Sequence, residues 1–497
     1  MKKIIISILG VLSLFGCVDL KQEPLSFLTP ENVSYDESNM TTMANGLYRA
    51  LWGWNYGYCC RLFTLTLGAD DVIAGQLSKT RVIVIDELRA DATISELDVK
   101  YFWTNMYNLI LNSNLMIEGI SGSSGSFEEK KPYLGEAYFM RAFAYYNLVR
   151  IFGDVPAIID SKSAQDVLGN ENIGRNRVAD IYDKIIVPDL IMAEEYLPEV
   201  PRTRDNSSVG KIAAQTCLSE VYLTMAGWPL KRTEYYAKAA EKAKQIIEAS
   251  YNTHRLVEHY EDLWKEVMKS DNTEHIFAIN CSRLNSMASQ YGISFLAMEE
   301  NGWSDYLADE AFYLKYPDDE RKAFNYKTTY NRAGRPGQTI IVPYTQSTMK
   351  SPFINKYRDY GTDAAQSDGI IPIYRYADVL LIYAEAQNLA NNGPDDLAYR
   401  CINDVRKRAT GGTPNDIPEN LSGEDFDKYV FDERGWEFFA EFKRWFQLVR
   451  REKVEECNRY NSRVVEAGYI DRNKENYLMP LPPKEVELAK FSQNAGY

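Results

Sequence analysis

Histidine is scarce in this chain. His254, His259 and His275 are the only three in 497 residues, and none belongs to an H-E-x-x-H pair or another close metal-binding spacing. A zinc hydrolase would lack its obvious ligands, and neither a metal nor another cofactor is expected. The seven cysteines, Cys17, Cys59, Cys60, Cys217, Cys281, Cys401 and Cys457, contain no C-x-x-C spacing, so neither a zinc site nor a dense disulfide framework is implied. Basic residues are outnumbered, 56 Lys and Arg against 70 Asp and Glu, for a net charge of −14. Nucleic-acid partners need basic surface, and that balance argues against them. Past the first fifteen residues no stretch approaches eighteen uninterrupted apolar residues, so no further membrane span is expected and the body reads as soluble.

What is present begins with a leader. Lys2 and Lys3 precede the mostly apolar run Ile4 to Phe15, followed by Gly16-Cys17. The run is too short to span a bilayer as an ordinary helix and has the charged-apolar-small order of a secretory signal over residues 1–16. Leu14-Phe15-Gly16-Cys17 resembles a bacterial lipobox, which implies acylation at Cys17. Each buried methylene then contributes about 0.8 kcal/mol, enough in several chains to hold a soluble body on a membrane. Residues 17–30 read as an extended tether, with Pro24 and Pro30 in a polar segment. Residues 31–497, with 45% apolar and 25% charged residues in the whole chain, read as one body built on a long helical array.

The most ordered stretch runs from Pro132 to Pro156, PYLGEAYFMRAFAYYNLVRIFGDVP. Tyr133, Ala137, Met140, Ala144, Leu148 and Ile151 fall on one helical face, predicting a buried amphipathic helix whose small alanines admit a close neighbour. Gly153 supplies a C-terminal cap and Pro156 stops the helix. Helical spacing also marks 38–51, Trp103 to Ile117, 179–197, 210–226, 235–250 and Ala398 to Ala409, a pattern of paired helices of tetratricopeptide type. Cys217 and Cys401 sit among apolar residues on such faces and read as core.

Between residues 274 and 369 the helical period fades, and a loop-rich insertion with a short strand at 340–342 is expected. It carries Trp303, Tyr306, Tyr330 and Tyr344. A second aromatic segment, Trp52-Gly53-Trp54-Asn55-Tyr56-Gly57-Tyr58, alternates rings with Gly and Asn, where regular structure is weak. Asp70, Asp71 and a strand-like run from Arg81 to Ile85 follow it. The 35 tyrosines and eight tryptophans mostly serve cores and rims, but flat rings also stack on sugars. Trp54, Tyr56, Tyr58, Asp71, Arg81, Trp303 and Tyr306 are therefore the candidate ligand residues, loops on a rigid scaffold being where such groups tend to sit.

Four blocks give the chain a family resemblance. GEAYFMRAFAYYNLVRIFGDVP; the Ile373–Ala386 run IYRYADVLLIYAEA, read as a helix; Glu433-Arg434-Gly435-Trp436-Glu437 with Arg444-Trp445-Phe446; and the closing Leu478-Met479-Pro480-Leu481-Pro482 with Gln493-Asn494-Ala495-Gly496-Tyr497 resemble, in order, the blocks of the SusD/RagB family. Gly435 stands where the family has arginine, and Ala495 where it has proline; the last block also argues for a complete C-terminus. The resemblance implies a mainly α, tetratricopeptide-like fold and an outer-membrane lipoprotein facing outward. It implies capture of an oligosaccharide, or of peptide in some members, and hand-over to a SusC-like TonB-dependent transporter without bond cleavage. Two other classes compete. A surface glycoside hydrolase would need two carboxylates across a pocket, and a helical scaffold would bind only protein partners. Glu433, Glu437, Glu441 and Arg444 invite the first reading, although helix salt bridges are the commoner reason for such spacing.

Overall fold

The structure is a computed structural model and describes residues 34–52, 62–75, 79–163, 174–333, 337–357, 367–458, 464–465, 467–468 and 473–497. The leader, the tether, Cys17 and the segment holding Trp54, Tyr56 and Tyr58 lie outside the described residues.

The body is a run of antiparallel helix neighbours. Helices α1 (Glu37–Leu51), α2 (Glu96–Gly122) and α3 (Phe127–Phe152) are followed by α4 (Val187–Tyr196), which continues a short helical lead-in, Val178–Ile181, through a π turn, Tyr182–Ile186. Then come α5 (Lys211–Met225) and α6 (Tyr235–Glu248), and after the insertion α7 (Tyr376–Asn391), α8 (Asp396–Ala409), α9 (Gly423–Glu437) and α10 (Arg444–Arg450). From α2 to α8 each helix packs on the next, and α6 packs directly on α7 across more than a hundred intervening residues. The array is a tetratricopeptide-like helical scaffold, and the loop-rich segment leaves and rejoins it without breaking the stacking.

Helix α3 is the axis of this array, and it differs from an amphipathic helix. The predicted face is buried, but so are Phe139, Phe143, Tyr145 and Tyr146 on its other sides. The reason is packing from several directions: α2 and α4 flank it, and Phe277 of the insertion meets Phe139 edge-on at 5.8 Å. A helix apolar all round is a buried one. Its polar residues are matched individually. Arg141 clamps Asp189 through Nε and Nη2 at 2.7 and 2.8 Å and reaches Asn114 at 2.9 Å. The Arg150 guanidinium lies between the rings of Tyr146 and Phe446, 3.7 and 3.9 Å from their centroids. Gly135 permits the α4 approach, since a Cβ there would lie 2.9 Å from the Leu197 backbone nitrogen.

The helix ends at Gly153, whose φ of +74° suits glycine. Its last carbonyls are then capped by distant chain: the Met479 N–H donates to Ile151 O at 2.7 Å and Asn494 Nδ2 to Phe152 O at 2.9 Å. The closing motif thereby satisfies groups that any helix end leaves open.

The insertion is held at its base by β2 (His275–Asn280), which pairs antiparallel with β8 (Ile370–Arg375). Residues 373–375, expected within the next helix, are thus strand, and α7 starts at Tyr376. Six-residue apolar runs do not distinguish a buried strand from a buried helix. Three smaller antiparallel pairs complete the set: β1 (Val72–Ala74) with β3 (Tyr306–Ala308), β4 (Tyr326–Lys327) with β7 (Phe353–Ile354), and β5 (Thr329–Asn331) with β6 (Ile341–Pro343). The insertion also has its own small core of Ile73, Ala297, Leu307, Tyr330, Val342, Met349 and Phe353. No described helix is long and apolar enough to cross a membrane. Cys217 and Cys401 are buried free thiols, in keeping with their reading as core.

Candidate ligand-binding surface

The β1/β3 pair joins the N-terminal part of the chain to the insertion. It places Leu62–Leu65, where the chain resumes after the aromatic segment, beside Tyr306: the Phe63 and Tyr306 rings meet at 4.7 Å, and Thr64 Oγ1 and Tyr306 Oη share a hydrogen bond of 2.7 Å. Tyr306 is only 3% exposed. Three residues earlier Trp303 is 40% exposed, so two candidate aromatics close in sequence face opposite ways.

The loop that carries Trp303 is tied down by backbone hydrogen bonds. Trp303 N–H donates to Ile293 O at 2.9 Å, Gly302 to Ala297 O at 2.9 Å, Ser304 to Leu296 O at 3.1 Å and Asp305 to Ser294 O at 2.8 Å. From the other side Gly75 N–H donates to Asp305 O at 2.8 Å. Two glycines make this folding-back possible. A Cβ on Gly302 would sit 2.1 Å from Leu296 O, and one on Gly75 would sit 1.8 Å from Ser304 O. The indole is thus partly open to solvent while its backbone N–H and those of its neighbours are hydrogen-bonded, which lowers the ordering cost of any contact it makes.

The remaining candidates underlie this surface. Asp71 is buried; its Oδ2 accepts from Ala440 N–H at 3.1 Å, and burial together with the charge of Asp70 pushes its carboxyl up to about 6. Asp309, capping the short helix Glu310–Lys315 through Phe312 N–H at 2.8 Å, is likewise raised to about 6 by burial. Arg81 lies in a helix, Thr80–Asp86, where a strand was expected. Its β-branched neighbours Val82, Val84 and Ile85 are buried there, and tertiary burial outweighs strand propensity. Arg81 Nε pairs with the buried Asp98 at 2.6 Å. Tyr330 belongs to the insertion's core and donates to Gln346 O at 2.8 Å, whereas Tyr344, partly buried, donates to Glu310 at 3.0 Å. Trp303 is therefore the one exposed large aromatic among the candidates that lie within the described residues.

Beneath the surface lies a charged junction that joins the insertion to α7, α8 and α9. Glu274, Glu433, Glu437 and Glu441 meet Arg321, Lys356, Arg375 and Arg408, all essentially buried. Arg321 Nη1 donates to Glu433 at 2.7 Å and to Glu437 at 2.6 Å; Arg375 Nη1 reaches Glu274 at 2.8 Å and also contacts Glu437. Lys356 Nζ donates to Glu441 at 2.7 Å and Arg408 Nη1 to Glu274 at 2.7 Å, with a further Arg408 to Glu437 pair. Burial alone would raise Glu437 and Glu441; Arg375 and Lys356 outweigh it and hold Glu441 down at about 2, while Arg408, Arg375 and Arg321 hold Glu437 well below the carboxylate range. Glu437 and Glu441, so held, have no proton to donate near neutrality. The spacing of Glu433, Glu437 and Glu441 serves ion pairing, but with partners far away in sequence instead of along one helix. Arg444 pairs with Asp70 through Nε and Nη2 at 2.6 and 2.8 Å. Gly435 packs against it, with an added Cβ 2.9 Å from Arg444 Nη1.

Sequence reasoning missed Glu274, Arg321, Lys356 and Arg408 as junction members. The available signal was a charge inside an apolar phase, as at Arg408 beside Val405 and Ala409, yet each sits in a polar-rich stretch that reads as surface. His275 is buried and pushed down to about 3 by burial and Arg375, hence neutral. Among the described residues no group of three or more His, Cys, Asp or Glu is arranged to hold a metal ion.

The profile of the SusD family matches residues 203–497, and that of a family described as starch-binding and associating with the outer membrane matches residues 68–223. SusD-like protein P2 of Formosa agariphila is 30% identical over 527 aligned positions, which cover 98% of each chain. Among solved structures, a SusD superfamily protein from Parabacteroides distasonis superposes with a TM-score of 0.80 at 26% identity, covering 95% of this chain and 100% of that one. Surface glycan-binding protein A of Bacteroides thetaiotaomicron, in complex with laminarihexaose, shares the fold with a TM-score of 0.69 at 20% identity, covering 92% and 99%.

Proposed function

The chain belongs to the SusD family, and from that premise we propose that it is a cell-surface binding lipoprotein. On this reading Cys17 carries the lipid that holds it on the outer membrane. The body captures oligosaccharides and hands them to a partner TonB-dependent transporter without cleaving them. The observation that carries the ligand side is Trp303, a large ring left open on a loop held by backbone hydrogen bonds. Sugar rings present apolar faces edged by hydroxyls, which stacking and a few polar groups recognise with affinity modest enough for release. Asp71, Arg81 and Tyr306, drawn into a backbone hydrogen bond, an ion pair and packing respectively, act as supports for that surface. The glycan-bound relative of the same fold supports this class of ligand.

Calorimetry of the purified body against plant, host and microbial oligosaccharides, with Trp303→Ala alongside, tests the reading. We expect one glycan class to bind and Trp303→Ala to weaken it by at least about tenfold with folding intact. Equal affinity of variant and parent removes Trp303 from the site; steady release of shorter products would identify a hydrolase instead. For the anchor, Cys17→Ala is expected to free the protein from membranes lacking the transporter while ligand affinity persists, and continued membrane association of that variant would overturn lipidation there.

A further inference from the structure

A cavity of about 390 Å³ lies between the Arg255–Glu258 stretch, the start of α7 and the C-terminal end of α8, and no residue of the Trp303 loop lines it. Its size falls within the range of small-ligand sites, about 300–1,000 Å³. Leu256, Leu380 and the Tyr376 ring supply apolar wall, while Arg255, Lys407, Glu258 and Asp404 supply charge. Those four are exposed. Among the described residues none of their side chains makes a hydrogen bond or a close ion pair, although every carboxylate of the neighbouring junction is engaged.

Arg408 connects the two regions. It lines the cavity yet is only 5% exposed, because its guanidinium is committed to Glu274 and Glu437. Its Nε has no acceptor among the described residues. The wall is thus fixed from behind by ion pairs, while the charges at the opening remain available. Two cations and two carboxylates around an aromatic ring suit neither a purely apolar ligand nor a bare cation. They match a sugar that carries an anionic group: Arg255 and Lys407 face its carboxylate or sulfate, Glu258 and Asp404 accept its hydroxyls, and its apolar face lies on Tyr376.

We propose that this cavity is a second saccharide subsite, selective for an anionic sugar unit. The inference rests on oligosaccharide capture as the function and adds a substrate class to it. The test is calorimetry of the full soluble body with three tetrasaccharides: a uronate one from alginate, a sulfated one from carrageenan, and neutral laminaritetraose. The variants are the double substitution Arg255→Gln with Lys407→Gln, and Trp303→Ala. Both cationic positions are exposed, so the double variant is expected to keep the parent's Tm. In the parent at low salt, one anionic tetrasaccharide is expected to bind more tightly than the neutral one, and the anionic-to-neutral affinity ratio should fall about tenfold in the double variant and in high salt. The arm that responds, uronate or sulfate, identifies the group. An unchanged ratio, or an effect from Trp303→Ala alone, overturns the subsite and leaves oligosaccharide capture standing. Binding of no tetrasaccharide and of no glycan in the wider panel overturns both.

Discussion

The charged junction and the Trp303 loop are held by opposite means. In the junction, side chains do the holding: Arg375 alone contacts Glu274, Glu437 and Glu441, and the carboxylates are committed to ion pairs. In the loop, backbone groups do the holding, and the Trp303 side chain stays 40% exposed. A residue whose main chain carries the structural task is free to offer its side chain outward; a residue whose side chain carries that task is not. Asp71, next to β1, accepts the Ala440 N–H beside the junction and its backbone carbonyl accepts from Asp309 N–H after β3.

The largest effect should come from breaking the junction. Glu437→Ala leaves Arg375, Arg408 and Arg321 short of a shared counter-ion, and loss of one partner in a buried ion pair costs about 3–5 kcal/mol. Urea and thermal unfolding should show that loss, and a change below about 1 kcal/mol would mean the ion pairs are solvated in practice. Next is the link between the regions. Asp71 and Asp309 sit at about 6 in the folded protein against an ordinary 3.8. The folded state therefore holds protons that the unfolded state gives up, and these two groups favour folding increasingly as pH falls from about 6 towards 4. Glu441, at about 2 against 4.5, acts in reverse: its contribution is present above about pH 4.5 and is lost below it. Asp71→Asn, which keeps an acceptor for Ala440, should gain on the parent at pH 8 and lose that advantage by pH 4, by on the order of 1–3 kcal/mol. A difference independent of pH would show that Asp71 ionises normally.

Smaller effects belong to the loop. Gly302→Ala puts a methyl into the space of Leu296 O. It should cost about 1–3 kcal/mol and lower glycan affinity with Trp303 intact; unchanged affinity would show that the loop's path does not matter. Trp303→Ala should change stability least, within about 0.5 kcal/mol, while affecting binding most. A comparable loss of stability would mean the indole is packing and not platform.

Much of the scaffold was legible along the chain because helices declare themselves locally. The spacing of Tyr133 to Ile151, the Gly153 stop and the Ala398 to Ala409 face all correspond to helix in the structure. The strand expected at residues 81–85 and the helix expected from residue 373 were wrong for one shared reason: both are short, largely buried and mostly apolar runs whose periodicity carries no information. The binding surface was less legible. Trp303 and Tyr306 read alike as aromatics in an irregular segment, and only the β1/β3 pairing turns one inward and leaves the other out.

By itself the sequence determined a helical array of this family, a central helix with a glycine stop, and two aromatic-rich segments, because each is written in neighbouring residues. Tertiary structure decided which charges are buried together, which aromatic is presented, and that residues from Glu274 to Glu441 form one ionic junction. Those outcomes depend on contacts between residues far apart in the chain, such as Arg408 and Glu274, 134 positions apart. The energy of a buried charge is set by the partner that folding brings to it, and no local pattern encodes that partner.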